Sequence, residues 1–198
     1  MPDIDKTNPF STRYWTPGTI PYQFGKQNDL ERLAEIFLRK RGPTQIVGPH
    51  GSGKSTLLAS LGNLLRNRDY FVRQVTLTDR QRHLPKDFLL FPSLPNPAVF
   101  FLDGYEQLSV RSRLWFWGQI LRNPVRWKTG IILTSHRPIP WVPVLWKTVS
   151  EYDVFQSLVT RLTAETEIHF DEKTLLDVFH RAKGNFRSAF FELYDKGE

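Results

Sequence analysis

The sequence predicts an α/β fold: a doubly wound parallel sheet of about five strands, followed by a small C-terminal helical lid. Two observations lead to this prediction. Short apolar strand patterns alternate with helical patterns from residue 44 to residue 149, and only helical patterns follow Ser150. A glycine-rich turn also joins the first strand to its helix, as in a strand–loop–helix unit.

Length and composition are those of an ordinary globular chain. Its 198 residues, 40% hydrophobic and 24% charged, suffice for one substantial core and a small appendage. No apolar run approaches the roughly 20 residues of a membrane span, and residues 1–12 lack a signal-peptide pattern, so we expect a cytoplasmic protein with no membrane partner. The absence of cysteine excludes disulfides, thiolate zinc sites and cysteine nucleophiles.

The chain is basic, with a formal net charge of +7. This charge favours a polyanionic partner such as DNA, because contacts between cationic side chains and phosphates release counterions. A basic surface that only keeps the protein soluble is the alternative. The basic residues cluster at Arg39, Lys40 and Arg41; at Arg66, Arg68 and Arg73; at Arg80, Arg82 and Lys86; and at Arg122, Arg126 and Lys128.

The first predicted elements are an arm and a helix. Residues 1–21 contain several turn formers and no sustained period, which predicts an extended arm. Residues 28–39 are a predicted helix, since apolar residues recur at helical spacing from Leu30 to Phe37 and the segment begins with residues that favour a helix N-terminus.

The central part of the chain supplies the strands. The strand at 98–102 has no polar residue, as expected for a strand that is covered on both faces. The proline-rich residues 92–97 before it predict a rigid connector. The predicted strands are 44–47, 71–77, 98–102, 130–133 and 145–149, and helices at 53–66 and 106–121 follow the first and third of them.

The last part of the chain is predicted to be helical at 152–162, 171–182 and 185–194. We therefore divide the chain into an N-terminal arm (1–21), a core (22–150) and a helical lid (151–198).

The strongest motif is Gly48-Pro49-His50-Gly51-Ser52-Gly53-Lys54-Ser55, which fits the Walker A pattern G-x-x-x-x-G-K-[ST] at every fixed position. Its glycines let backbone N–H groups surround phosphates, Lys54 supplies a cation, and the Ser55 hydroxyl can bind Mg²⁺. Strand, loop and helix occur in the order that this chemistry needs. The fold class is therefore that of the P-loop NTPases, and the nucleotide-binding residues are predicted to run from Gly48 to Thr56. A glycine-rich turn without a ligand is the alternative.

Two acidic residues follow the third predicted strand. Asp103 ends this apolar strand, in the manner of a Walker B segment, and is the predicted second Mg²⁺ ligand. Glu106, at the predicted start of the next helix, is the candidate base that polarises the attacking water. The alternative for Glu106 is an acid that the helix dipole favours.

The fourth predicted strand ends in Thr134, Ser135 and His136. In a parallel sheet these residues emerge at the same edge as the phosphate loop, so Thr134 or Ser135 is predicted to contact the terminal phosphate. His136 either does the same or has a structural role. The chain has no Asn-Lys-x-Asp signature for guanine, so we expect ATP with Mg²⁺.

The predicted helix at 106–121 has one apolar stripe, which is expected to face the core. It consists of Val110, Leu114, Trp117 and Leu121. Leu108 and Trp115 fall on the opposite side, so Trp115 is expected to contact either a partner or a covering segment such as the N-terminal arm. The remaining tryptophans of this region are expected to pack at the sheet edge: Trp127, Trp141 and Trp146.

Together these segments resemble the AAA+ superfamily of P-loop ATPases, with features of its origin-recognition and STAND (NACHT) branches. Residues 24–33 resemble the family's first-helix motif F-x-G-R-x-x-E-L-x-x-L, with Lys26 in place of the usual arginine. Gly184-Asn185-Phe186-Arg187 resembles the G-N-x-R of the sensor-two helix, and Thr134-Ser135 matches the sensor-one position. The resemblance covers residues 22–194.

The resemblance implies roles for further residues. Tyr22 and Phe24, with Ile20, would flank the adenine, and Arg187 would contact the phosphates. It also implies Mg-dependent ATP hydrolysis that drives assembly or remodelling on DNA or a protein client, in a nucleotide-dependent homo-oligomer. The neighbouring subunit would supply an arginine finger, for which the candidates are Arg122, Arg126 and Arg137.

One departure from the family bears on turnover. Gly104 stands where the family has its catalytic glutamate, and the acid comes at Glu106. This arrangement is closer to that of NACHT-type proteins, so a nucleotide-gated switch with little hydrolysis is the alternative function. A small-molecule kinase is a third hypothesis, which the C-terminal segment 184–187 disfavours.

Overall fold

The computed structural model describes residues 8–24, 30–40, 42–85, 88, 97–122 and 130–197. The chain divides into two compact units. The first comprises Met1–Asn28, Pro49–Leu57 and Thr148–Glu198, and the second comprises Asp29–Gly48 and Leu58–Lys147. Within the described ranges, no helix has both the length and the apolar character needed to cross a membrane.

The second unit contains the sheet. Its strands are β1 (Gly42–Val47), β2 (Phe71–Thr76), β3 (Ala98–Asp103), β4 (Gly130–Ser135) and β5 (Val144–Lys147). All neighbours pair in parallel, in the order β2-β3-β4-β1-β5. The predicted five-stranded parallel sheet is therefore confirmed. Strand β4 runs two residues further than predicted, because Thr134 and Ser135 remain buried and pair with Ile46 and Val47 of β1.

Helices cover both faces of this sheet. They are α1 (Leu30–Arg39), α2 (Lys54–Arg66), whose first turn belongs to the first unit, and α3 (Val110–Arg122). The Phe37 ring of α1 lies 6.3 Å from the Phe101 ring of β3, measured between centroids. A Cβ on Gly130 would lie 2.5 Å from Phe37, so glycine at this position lets α1 approach the sheet. On the other face, Phe116 and Ile120 of α3 join a buried cluster with residues of β3 and β4.

The helix predicted to start at Glu106 begins instead at Val110. Glu106 lies in a separate 3-10 turn, Tyr105–Gln107, which follows Gly104 in the left-handed conformation with φ of 83°. Helix α3 then starts where the Ser109 hydroxyl accepts a hydrogen bond from the Ser112 N–H at 3.2 Å. The alternative role of Glu106, an acid at the start of this helix that its dipole favours, therefore does not apply to α3.

The predicted orientation of this helix is also wrong. The buried side of α3 carries Ser112, Phe116 and Ile120, whereas three residues of the predicted inward stripe are exposed. The exposed residues are Val110, Leu114 and Leu121. The rings of Phe116 and Tyr105 pack at 6.4 Å in the core cluster, and this packing decides which side of the helix faces the sheet.

The other aromatic predictions around α3 have mixed outcomes. Trp117 is half-buried against the core cluster, Leu108 is buried rather than outward, and Trp115 is exposed as predicted. Trp141 is 69% exposed, so it is not buried at the sheet edge, and one edge contact joins its ring to that of Trp117 at 6.2 Å. Trp127 lies outside the described residues.

The first unit is helical, as predicted for the lid. It contains α4 (Tyr152–Thr163), α5 (Glu172–Arg181) and α6 (Phe186–Lys196). The N-terminal residues pack with these helices: Phe10 is fully buried in their core, and Trp15 contacts Phe190 and Phe191. The arm is thus folded against the lid through a short 3-10 turn, Thr12–Tyr14, rather than simply extended. The proposed domain borders at residues 22 and 151 stay predictions.

Candidate nucleotide-binding site

The predicted phosphate loop has the backbone that its glycines allow. Gly51 and Gly53 have φ of 71° and 85°, in the left-handed region. A Cβ on Gly51 would lie 1.9 Å from Asn185 Oδ1, and one on Gly53 would lie 3.0 Å from the Tyr22 ring. Both conformation and close neighbours therefore require glycine at these two positions.

The loop is closed by its own polar side chains. Lys54, the first residue of α2, is buried, and its Nζ donates to the Pro49 carbonyl at 2.6 Å. The Ser52 hydroxyl donates to the same carbonyl at 2.8 Å and lies 2.6 Å from the Thr148 hydroxyl. A buried ammonium group held at the edge of a turn of backbone N–H groups is the arrangement that binds phosphate.

The remaining motif residues lie around this loop. Ser55 and Thr56 are half-buried in the first turn of α2, which contains no acidic residue to oppose an anion. His50 is exposed at the tip of the loop. Gly48, in the second unit, donates from its N–H to the Ser135 carbonyl at 3.2 Å and continues the pairing of β1 with β4.

At the carboxyl edge of the sheet, Thr134 holds Asp103. The Thr134 hydroxyl donates to Asp103 Oδ1 at 2.5 Å and accepts from the Gly104 N–H at 2.8 Å. All three groups lie at the ends of the adjacent strands β3 and β4. A hydroxyl has one hydrogen to donate, and Asp103 takes it. In this structure Thr134 therefore positions Asp103, and its predicted contact with the terminal phosphate stays a prediction.

Ser135 is likewise engaged within the second unit. Its hydroxyl donates to Gln45 Oε1 at 3.2 Å. Buried Gln45 also donates through Nε2 to the carbonyls of Ile139 and Val142, at 2.9 and 2.6 Å, and so fixes the segment after β4. Gln45 was not among the predicted site residues, although a polar residue in a short apolar strand was the signal for it.

Glu106 is paired on one oxygen only. Its Oε1 lies 3.0 Å from His136 Nε2, while Oε2 is buried and has no hydrogen-bond partner among the described residues. Arg113 donates from Nη2 to the Glu106 carbonyl at 2.6 Å and lies over the Tyr105 ring, which fixes the turn. The structure therefore places His136 beside the candidate base, a contact that the sequence analysis did not predict.

The geometry at Gly104 explains why the acid does not follow Asp103 directly. Gly104 has positive φ, and a Cβ there would lie 3.1 Å from the Leu77 carbonyl oxygen. A glutamate at this position would combine an unfavourable backbone conformation with a close contact.

The segment that resembles sensor two forms the turn between α5 and α6. Gly184 has φ of 73°, and Asn185 caps α6 by accepting from the Ser188 N–H at 3.3 Å. The Asn185 side chain also lies against Gly51 of the phosphate loop. Arg187 is exposed in the first turn of α6.

The predicted adenine-flanking residues lie beside the loop. Tyr22 and Phe24 are half-buried, their ring centroids are 4.8 Å apart, and Tyr22 contacts Gly53. Residues 25–29 of the first-helix motif, including Lys26, lie outside the described residues.

A cavity of about 360 Å³ adjoins the loop at Pro49. Its lining includes residues Thr148 to Ser150, His180 and Lys183. The volume is within the usual range for small-molecule sites. The Ser150 hydroxyl is buried and has no hydrogen-bond partner in the described part of the chain.

Four residues of the basic clusters noted in the sequence lie outside the described ranges. They are Arg41, Lys86, Arg126 and Lys128. Of the arginine-finger candidates, Arg122 and Arg137 are described and exposed. In the described ranges, no three His, Cys, Asp or Glu side chains cluster to form a metal site.

The fold is similar to those of solved AAA+ ATPases. Drosophila ORC bound to DNA matches with a TM-score of 0.64 at 13% identity, over 98% of this chain and 61% of that chain. AMPPCP-bound DnaA from Aquifex aeolicus matches with 0.58 at 18% identity, over 85% and 61%. Domain III of the Thermotoga maritima replication initiation protein DnaA matches with 0.57 at 17% identity, over 98% and 87%.

These matches establish an AAA+ P-loop fold. The chain spans only about 61% of the length of the ORC and Aquifex DnaA chains. No protein-family model matches the sequence, and no curated protein matches it.

Proposed function

We propose that this chain is an AAA+-type ATPase that binds Mg-ATP through Gly48 to Thr56 and hydrolyses its terminal phosphoanhydride bond. The observation that supports this most directly is the closed loop with two left-handed glycines and the buried Lys54 ammonium at its edge. In this proposal Lys54 exchanges the Pro49 carbonyl for the terminal phosphates, a better acceptor for a cation.

Magnesium would be held by Ser55 and Asp103. Hydroxyl and carboxylate oxygens are ligands that Mg²⁺ accepts, and it usually takes only one or two from protein beside phosphates and water. The bound ion would neutralise charge on the phosphates. Thr134 keeps Asp103 in one orientation through its hydrogen bond to Oδ1.

Glu106 is the proposed general base. Its buried Oε2 is available to accept a hydrogen bond from a water molecule, while His136 and Arg113 fix the other oxygen and the backbone. When the water attacks the terminal phosphorus, its proton passes to Glu106 and the bond to the ADP oxygen breaks.

The lid and the arm would hold the rest of the nucleotide. Tyr22 and Phe24 present an aromatic pair for the adenine, and Arg187 is accessible for the phosphates. The contact of Asn185 with Gly51 supports a role for this lid segment at the phosphate loop.

DNA is the proposed macromolecular partner, on which the chain would assemble as a homo-oligomer. The net charge of +7 supports this proposal. One structural neighbour, Drosophila ORC, was solved bound to DNA.

A nucleotide-gated switch with little hydrolysis is the second candidate function. It is favoured by Gly104 in the position next to Asp103 and by the burial of Glu106 Oε2. If Oε2 stays buried in the ATP state, no water reaches the carboxylate and the protein binds without turnover.

The test is ATP hydrolysis by the purified chain and by Glu106→Gln, with and without DNA, while light scattering follows assembly. Glu165→Gln, an exposed acid between α4 and α5, is the matched control. The ATPase proposal expects Glu106→Gln to lower kcat at least about 100-fold, and the control to leave it unchanged. Tight Mg-ATP binding without turnover under every condition would select the switch, and absence of nucleotide binding would refute both.

A further inference from the structure

The outward face of α3 is unusually apolar for a solvent-facing surface. Val110 and Leu114 are each 71% exposed and Leu121 is 67% exposed, while the buried side of the same helix includes Ser112. The apolar stripe of this helix therefore faces solvent. Such a conflict between local pattern and tertiary packing is expected at functional surfaces.

This outward face consists of two parallel strips. With about 100° of rotation per residue, Val110, Leu114 and Leu121 fall within roughly 40° of one another. Arg111 and Arg122 form a second strip about 90° further round the helix. Gly118 lies between the strips, and a Cβ added there would meet nothing within 4 Å. The face thus presents an apolar strip, a notch and a basic strip.

The basic strip has no acidic counterpart. Helix α3 contains no Asp or Glu, and no ion pair joins Arg111 or Arg122 to an acid within the described ranges. A partner that covers the apolar strip would also desolvate these guanidinium groups, so it must supply carboxylates to them.

We propose that this face of α3 binds an acidic amphipathic helix of another protein. The partner's apolar residues would pack on Val110, Leu114 and Leu121, with one large side chain in the notch at Gly118. The partner's carboxylates, on the strip of its helix next to these apolar residues, would pair with Arg111 and Arg122. The 13 residues of α3 extend about 20 Å, which matches a partner helix of three to four turns.

The chemistry of the face favours protein over nucleic acid. Bases stack on aromatic rings, whereas the strip itself consists of aliphatic side chains. The exposed tryptophans of this region, Trp115 and Trp141, lie outside the strip. A second copy of this chain fits less well, because α3 against α3 brings together two helices without acids. Helices α1, α5 and α6 also offer no second apolar strip to pack on α3, because each carries one exposed large apolar residue among those described. These residues are Ile36, Leu176 and Phe191.

A designed peptide tests this proposal independently of nucleotide. The probe is a fluorescein-labelled helix of about 18 residues with leucines at i, i+3, i+4 and i+7 spacing and glutamates in the adjacent strip. Its reference has lysine in place of each glutamate. Titration of the full chain, followed by fluorescence anisotropy, is expected to show micromolar binding of the probe and at least about tenfold weaker binding of the reference.

Substitutions locate the binding surface. Leu114→Ser is expected to weaken probe binding at least about tenfold, whereas Leu176→Ser, an exposed leucine of α5, leaves it unchanged. The double variant Arg111→Glu with Arg122→Glu should lose the glutamate probe and gain the lysine reference. This exchange of preference does not follow from loss of fold, since an unfolded variant binds neither peptide specifically.

Four results would overturn the proposal. The first is no saturable binding of the probe, and the second is binding that Leu114→Ser leaves intact. The third is a fall of Tm without peptide that is clearly larger in Leu114→Ser than in Leu176→Ser, because the excess over the loss of helix propensity means that this chain itself covers the strip. The fourth is binding of a different partner to the same face. Displacement of the probe by DNA would assign the face to nucleic acid, and a dimer in sedimentation that Leu114→Ser abolishes would assign it to a second copy of this chain.

Discussion

Thr134 shows how one hydroxyl group can set the geometry of an acidic site. It joins the ends of two strands by donating to Asp103 and accepting from the Gly104 N–H. Removing the hydroxyl leaves a buried carboxylate oxygen and a backbone N–H without this partner. The cost of such a loss is about 1–3 kcal/mol, and the carboxylate also gains freedom to rotate.

We therefore expect Thr134→Val to act on turnover more than on nucleotide affinity. If Asp103 orients Mg²⁺, kcat should fall roughly 10- to 100-fold while the Kd for ATP changes less than about threefold. Steady-state hydrolysis and fluorescent-nucleotide binding measure the two quantities. Thr134→Ser retains the hydroxyl and should restore most activity.

The exposed threonine of α4, Thr160, provides the control, since its hydroxyl donates to the Gln156 carbonyl of its own helix. Equal effects of Thr134→Val and Thr160→Val on kcat would contradict the positioning role. A large rise in Kd would instead support the direct phosphate contact that the sequence analysis predicted.

Among helical elements, α3 offers a site where stability can be raised. Gly118 lies in the helix interior, and an added Cβ meets no atom within 4 Å. Gly118→Ala should therefore raise the free energy of unfolding by about 0.5–1 kcal/mol, because alanine loses less backbone entropy on folding. Urea unfolding monitored by circular dichroism measures the change.

Gly62 of α2 is the matched control for this prediction. A Cβ there would lie 3.3 Å from both Arg66 and Phe101, so Gly62→Ala should give a smaller gain or a loss. Equal gains in the free energy of unfolding at the two glycines would contradict the expectation that the close neighbours of Gly62 limit the gain.

Helix α5 adds a prediction that depends on pH. The capping residue Asp171 accepts hydrogen bonds from the side chain and from the backbone of Thr174. These bonds, the side-chain one most strongly, lower the pKa of Asp171 below its ordinary value of 3.8. A lowered pKa means that this cap stabilises the folded state above pH 3.8 and that the contribution is lost as the pH falls through the lowered pKa. Asp171→Ala should therefore lower Tm at neutral pH.

The difference in Tm between wild type and Asp171→Ala is expected to shrink at acid pH. Thermal melts at pH values from 7 to about 2.5 test this. Asp177→Ala, an exposed acid on the same helix, controls for loss of charge alone. A difference that stays constant over the whole range would contradict a role for the ionised cap.

The elements also show what the sequence could and could not predict. Local patterns were sufficient for all five strands and for the glycines of the phosphate loop, because burial and positive φ leave direct marks on residue type. They were insufficient for α3, which has two apolar sides, since only contacts with distant strands choose between them. The pair Glu106–His136 joins residues that are adjacent only after β3 and β4 pair.

At the scale of the whole molecule, charge is unevenly distributed along the sequence. Acidic residues outnumber basic ones from residue 151 onward, so the positive charge belongs to the residues before it. If DNA is the partner, the phosphate contacts should therefore come from residues 1–150. On this proposal the core residues contact DNA, whereas the lid residues contact the nucleotide.

Ligand binding to the folded chain alone raises the stability of the whole molecule. At an ATP concentration about 100 times Kd, this linkage contributes about 2.7 kcal/mol, which raises Tm by several degrees. Lys54→Ala should abolish the rise, because the buried ammonium is the cation proposed for the phosphates. Its Tm without nucleotide should not fall, since the substitution removes a charge that is costly to bury in the folded chain.

Lys40→Ala, which removes an exposed lysine after α1, should retain the full rise with Mg-ATP. Differential scanning fluorimetry with and without Mg-ATP compares the three proteins. A rise in Lys54→Ala equal to that of the wild type would remove the basis of the proposed nucleotide site. A loss of the rise together with a much lower Tm without nucleotide would mean that Lys54 acts on folding, so the two roles are separated by one experiment.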